Sequence, residues 1–179
     1  MTQNEKIRTF IAIEIDRGLI PDSIFRRVNS QSSLRPVRTE ALHLTLEFFG
    51  EIETDYVARI EYVMDNVSFK VFSIDFRGLG AFPNPNRARV LFLKAESNPH
   101  LNKIRSSILN PLGKNGDGEF VPHATLARAK HPLNLTEIIE EFSVISFTSM
   151  VKEIKLFASE LTQRGPVYRV MKKIVSDMQ

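Results

Sequence analysis

Short runs rich in β-branched and aromatic residues alternate along this chain with stretches of helical spacing. Arg8 to Ile15 (RTFIAIEI) reads as a buried strand. Pro21 to Ser30 places Ile24, Phe25 and Val28 at helical intervals, with proline in the first turn. His43 to Phe49 (HLTLEFF) predicts a strand. Thr54 is placed to cap a helix whose inner face would carry Val57, Ile60, Tyr62, Val63 and Met64. Lys70 to Phe76 alternates Phe72, Ile74 and Phe76 against Val71, Ser73 and Asp75, the pattern of a half-buried strand. Gly78, Gly80, Pro83, Asn84, Pro85 and Asn86 then predict a loop between two halves, the Gly-x-Gly reading as a turn. Beyond it come a strand at Ala88–Ala95, a helix at Pro99–Leu109, a turn at Gly113–Gly118 and a strand at His123–Ala129. A helix from Asn134 or Thr136 to Phe142, a strand near Val151–Phe157 and a last strand at 167–175 complete the chain.

The second half repeats the first at an offset of 80 residues. Arg8 stands 35 residues before His43, and Ala88 stands 35 before His123. At the same offset Phe10, Ile13 and Ile24 meet Val90, Leu93 and Ile104, while Val71, Ile74 and Phe76 meet Val151, Ile154 and Leu156. Two copies are too few for a solenoid. The expectation is one domain over 1–179, α+β in class, with two lobes (8–77 and 88–157) facing each other across an approximate two-fold axis. Antiparallel sheets would line the central cleft, with helices outside.

His43-Leu44-Thr45-Leu46 and His123-Ala124-Thr125-Leu126 fall at matching places in the repeat. On a strand, residues i and i+2 share a face, so each His and its Thr would enter the cleft together. In-line displacement at phosphorus needs a base behind the attacking oxygen and an acid behind the departing one. Imidazole, with an ordinary pKa near 6.5, can serve as either near neutrality. Thr45 and Thr125 can donate hydrogen bonds to the non-bridging oxygens, and Arg128 can place a guanidinium on the same anion. One His-x-Thr on a strand is ordinary. Two in equivalent positions of a duplication point to phosphodiester chemistry.

Composition narrows the alternatives. Zero cysteines exclude disulfides, thiolate metal sites and cysteine nucleophiles. No apolar run approaches the roughly 20 residues that span a bilayer, and the N-terminus lacks a secretory h-region, so a cytoplasmic chain without membrane association is expected. The net charge of +3 is a mild sign of an anionic partner. There is no His-x-x-x-His helix pair and no carboxylate within three residues of His123, so neither metal nor cofactor is expected. Glu47 stands four residues past His43, on the same face of a regular strand.

The two motifs, with RTFIAIEI near the start, LGAFPNPNRARVLFL in the middle and FVPHATLAR later, resemble the 2H phosphoesterase superfamily. Within it the chain is most similar to the RNA 2′,3′-cyclic phosphodiesterases, also called 2′-5′ RNA ligases. The resemblance runs from about Arg8 to Lys172 and includes the closing strand after Gly165-Pro166-Val167-Tyr168. It implies metal-independent hydrolysis of a 2′,3′-cyclic phosphate to a 2′-phosphomonoester, with His43 as proton donor to the departing 3′ oxygen and His123 as base. Ligation of tRNA halves would be the reverse kind of reaction. The family often has an aromatic upstream of the first motif, where this chain reads Leu34-Arg35-Pro36-Val37-Arg38.

The expected partners are RNA with 2′,3′-cyclic phosphate ends, or nucleotides, bound by a monomer. Phe10, Phe48 and Arg89 are candidate base or RNA contacts, although core packing competes for the two phenylalanines. Arg35, Arg38, Arg87, Arg89 and Lys130 would form either a phosphate track or ordinary surface charge. His100 and His131 read as solvated, and Phe120 and Pro122 as rim residues. The competing class is an RNA- or nucleotide-binding module with the same cleft and little turnover. Two titrating groups argue against it, since pure binding has little need of them.

Overall fold

In a computed structural model, which describes residues 5–114, 120–163 and 165–177, the strands join one antiparallel sheet. The strands are β1 (Lys6–Glu14), β2 (Leu34–Pro36), β3 (His43–Glu53), β4 (Phe72–Phe82) and β5 (Ala88–Ala95), then β6 (His123–Leu133), β7 (Ser146–Val151), β8 (Glu153–Thr162) and β9 (Gly165–Val175). Their order is β7-β4-β5-β6-β3-β1-β8-β9, with β2 beside β6 off that path. The offset of 80 explains this order. It carries β1 onto β5, β3 onto β6 and β4 onto β8, so β3-β1-β8 corresponds to β6-β5-β4.

The spatial flanks are not the two sequence halves. β4, from the first half, lies in the flank of β5 and β6, while β8, from the second, lies beside β1. The cause is local. The expected interlobe loop is mostly strand, because β4 runs on through Gly78 and Gly80 to Phe82. Only Pro83–Arg87 then connects it to its antiparallel neighbour β5. A short hairpin connection has a small closure entropy, so consecutive strands pair. Gly78, at φ +64, sits in the register shift between Phe76 and Leu79 and lets the strand bend there instead of ending.

Helices cover one face. α1 (Asp22–Asn29), α2 (Thr54–Asp65), α3 (Pro99–Leu109) and α4 (Thr136–Glu141) bury Ile24 and Val28; Val57, Ile60, Val63 and Met64; Leu101, Ile104 and Ile108; and Ile138. Alternation along β1 sorts the two faces: Ile11 and Ile13 join the main core, while Phe10 and Ala12 join Phe157 and Tyr168 on the other side. Asn98 caps α3 by accepting the His100 backbone N–H.

Several expectations need correction. Tyr62 is 72% exposed, since it lies two residues from Ile60 and rotates off the buried stripe. Thr54 is the first residue of α2 and makes no capping bond; Glu53 holds the cap position. The strand expected at Val151–Phe157 is two, β7 and β8, broken at Lys152. The three-residue β2 was not expected, being short and ending in proline. The expected Gly113–Gly118 turn falls largely outside the described residues, since 115–119 are not among them; Gly113 itself, at φ +72, closes a 3-10 turn.

Leu44 and Ala124, both fully buried, form the pair that joins β3 to β6. Leu44→Ala is expected to destabilise the fold by about 3 kcal/mol, read as a lower urea midpoint with an unchanged m-value.

Candidate active site

The Leu44–Ala124 pair is antiparallel, so His43 comes beside Thr125 and Thr45 beside His123. Leu44, Leu46, Ala124 and Leu126 are buried toward the helices, while both His–Thr pairs line a groove of about 640 Å³ on the opposite face. Arg35 of β2 and Arg38, two residues beyond its end, wall the groove on one side. Gly165, Pro166 and Tyr168 at the start of β9 wall the other.

Both imidazoles are held the same way. His43 Nδ1 lies 2.7 Å from the Ala41 carbonyl, and His123 Nδ1 lies 2.8 Å from the Val121 carbonyl. A carbonyl only accepts, so each Nδ1 carries its hydrogen and each Nε2 is left for the groove. Beneath the rings lie aromatics. His43 packs on Phe10 (4.9 Å between centroids) and edge-on to Tyr168 (5.4 Å); His123 packs against Phe82 (5.0 Å) and Phe92 (5.1 Å). Burial holds the His43 pKa below its ordinary 6.5. The charges of Arg128 and His123 push the same way, while the Ala41 carbonyl and Glu14 oppose them. Burial also raises the Tyr168 hydroxyl, which stays protonated at neutral pH.

Arg128 reaches the groove because of a bulge. Residues five apart on a regular strand face opposite sides, which would turn Arg128 away from His123. Opposite β5 the register slips between Leu91, paired with Ala127, and Phe92, paired with Thr125. Leu126 and Ala127 therefore both face the core, and Arg128 returns to the groove. The same bulge recurs 80 residues earlier, where Ile11 pairs with Glu47 and Ala12 with Thr45. Glu47 is thus turned away from His43, contrary to the expectation of a shared face. It meets Arg105 of α3 at 2.7 Å, and Arg105 also lies over Phe120.

The remaining candidates divide. Phe10 is 3% exposed beneath His43, a supporting ring and not a surface for a base. Phe48 is exposed but lies under the Arg8 guanidinium, outside the groove lining. Arg89 donates to the Lys130 carbonyl and does not line the groove; Lys130 does. His100 stacks on Phe72. Pro122 is buried. Sequence reasoning missed Tyr168, Phe82 and Phe92 as neighbours of the histidines. Phe92 could have been found, since it pairs with Thr125 once strand register is set. Tyr168 could not, because β9 has no counterpart in the 80-residue repeat. Among the described residues no group of three or more His, Asp or Glu gathers as a metal site, and no helix is long and apolar enough to cross a membrane.

The model of the 2′-5′ RNA ligase superfamily matches residues 20–162. An RNA 2′,3′-cyclic phosphodiesterase of Archaeoglobus fulgidus is 34% identical over 91% of this chain and 97% of its own. One from Methanothermobacter thermautotrophicus is 35% identical over 93% and 97%. Among solved structures, the Thermus thermophilus protein TT0787 superposes with a TM-score of 0.69 at 28% identity, covering 94% of this chain and 97% of its own. E. coli LigT complexed with 3′-AMP shares the fold, with a TM-score of 0.77 at 21% identity, over 97% of this chain and all of that one.

Two outcomes follow from this geometry. Because His43 has a lowered pKa in the folded chain, unfolding takes up a proton as pH falls below 6.5. Stability should therefore drop as pH falls through that value toward the folded pKa, and His43→Gln should remove part of the drop in urea titrations at pH 7.5 and 5. At Gly80, an added Cβ would lie 2.6 Å from the Phe92 ring that supports His123. Gly80→Ala should therefore shift the His123 imidazole NMR signals, leave those of His43 in place, and be relieved by Phe92→Leu.

Proposed function

The chain belongs to the 2′-5′ RNA ligase superfamily, and on that premise we propose that it hydrolyses RNA 2′,3′-cyclic phosphates to 2′-phosphomonoesters, with His43 and His123 as acid and base. The observation that carries this reading is the pair of His-x-Thr motifs on either side of one antiparallel residue pair, each histidine with Nδ1 held by a carbonyl and Nε2 free in the same groove. The names of relatives that cover nearly the whole chain support the substrate class.

The cyclic phosphate sits between the rings. His123 Nε2 takes a proton from a water as its oxygen bonds to phosphorus, and the P–O3′ bond breaks on the far side. His43 Nε2–H gives its proton to O3′, leaving a free 3′-hydroxyl and a 2′-phosphomonoester. A ring whose proton is weakened by burial is the stronger acid once loaded, and an anionic substrate favours the loaded form. Thr45 and Thr125 donate to the non-bridging oxygens, and Arg128 balances the charge that gathers there. These steps run on side chains alone. The same displacement with an RNA 5′-hydroxyl in place of water, its proton going to His123 and O3′ again leaving, joins the two strands through a 2′-5′ phosphodiester, which is the ligation chemistry.

The test is turnover of an oligonucleotide ending in a 2′,3′-cyclic phosphate in excess EDTA, with the product identified by mass and by its terminal phosphate. A 2′-phosphate is expected. His43→Ala and His123→Ala should each lower kcat by about 10²–10⁴-fold with the fold retained. A near-normal rate in either folded variant would remove the acid–base assignment, and RNA binding without turnover would make the chain a binding module.

A further inference from the structure

We propose that Arg35, Lys130 and His131 form a second anion subsite, one that holds backbone phosphate of the RNA strand on the 5′ side of the reacting nucleotide. This rests on the phosphodiesterase reading above and extends it from the reacting phosphate to the strand behind it.

The geometry begins with β2. Where β3 diverges from β6, β2 takes over the pairing, with Arg35 directly opposite Arg128. Like charges directly opposite each other on neighbouring strands are destabilising, and nothing offsets this pair: no described carboxylate bonds to Arg35, Arg38, Arg128 or Lys130. Elsewhere, Arg17, Arg27, Arg77, Arg105, Lys155, Lys172 and Lys173 have acidic partners, while Arg8, Arg59 and Arg89 have none among the described residues, so what marks the groove is that its cations stand together. The described lining of the groove contains no acid at all.

The cations continue past the histidines. Arg128 and Lys130 stand two apart on β6 and share a face, roughly 7 Å from each other along the strand. Beyond them lies a second hollow of about 380 Å³, lined by Ser32, Ser33, Arg35, Lys130, His131 and Leu133. Arg35 and Lys130 belong to both hollows, so the path from one to the other is continuous. A molecule ending in a cyclic phosphate has covalent chain on its 5′ side only. The anion that reaches this second hollow while the terminus is at the histidines is therefore upstream backbone phosphate. Serine hydroxyls, a guanidinium, an ammonium and an imidazole donate to phosphate without reading a base, so the subsite discriminates by strand length and not by sequence.

Two measurements test this. The first compares a mononucleotide 2′,3′-cyclic phosphate with a hexanucleotide bearing the same terminus. Lys130→Gln and His131→Gln should each raise the KM ratio of hexamer to mononucleotide, roughly tenfold for the lysine. The second follows binding of a hexamer ending in 2′-phosphate by fluorescence anisotropy across salt concentrations. Arg35→Gln and Lys130→Gln should each reduce the slope of log Kd against log salt by about 0.7, while Arg77→Gln, whose charge is held by Glu96, should not. An unchanged slope in the first two variants, or an equal fall in all three, would overturn the subsite. Absence of turnover on both substrates in the wild-type protein would instead sink the phosphodiesterase reading, and the binding slopes would still decide the subsite.

Discussion

Leu44 of β3 lies against Ala124 of β6 at the centre of the sheet, and the two halves of the repeat meet across this pair. An antiparallel pairing has a local two-fold axis, so a feature at a given distance from it on one strand returns at the same distance on the other. Histidine and threonine on either side therefore reach the groove twice, facing one another. The bulges that follow, at Glu47 and at Ala127, are likewise repeated. Opposed imidazoles need no separate positioning device in such a frame. They are a consequence of pairing a strand with its own duplicate.

The frame is symmetric, but its fittings are not. Phe10 and Ala12 on β1 correspond to Val90 and Phe92 on β5, so the ring beneath each histidine comes from a different step of its strand. Glu14 is paired opposite His43, while Lys94 occupies the equivalent place opposite His123. The position after one bulge is Phe48, covered by Arg8; the position after the other is Arg128, in the groove. Substitutions on a duplicated scaffold give the two imidazoles different neighbours without moving them.

Charge is distributed with the same economy. Carboxylates accompany seven described cations outside the groove, where exposed pairs contribute little stability and maintain solubility. Among the described residues the groove's cations have no acidic partner, with Arg35 against Arg128 across adjacent strands. On the proposed reading, an anion in the groove would relieve that local repulsion, and its cost in stability would become affinity.

Much of this was legible in the chain. Alternating apolar residues located β1, β3, β5 and β6, the helical stripes located α1 to α4, and the 80-residue offset brought His43, Thr45, His123 and Thr125 together. All of these depend on local periodicity or on equality of sequence distance, which a single chain displays directly. The rest depended on pairing. Strand register decided that Arg128 would enter the groove and Glu47 leave it, because one extra residue in a bulge reverses the face of all that follows. Short-range hairpin closure put β4 beside β5, and long-range pairing with β1 put β8 in the other flank. The flank joined by the third strand of each half, the aromatic support beneath each imidazole and the row of cations were decided only by tertiary structure, since each depends on which strand lies alongside.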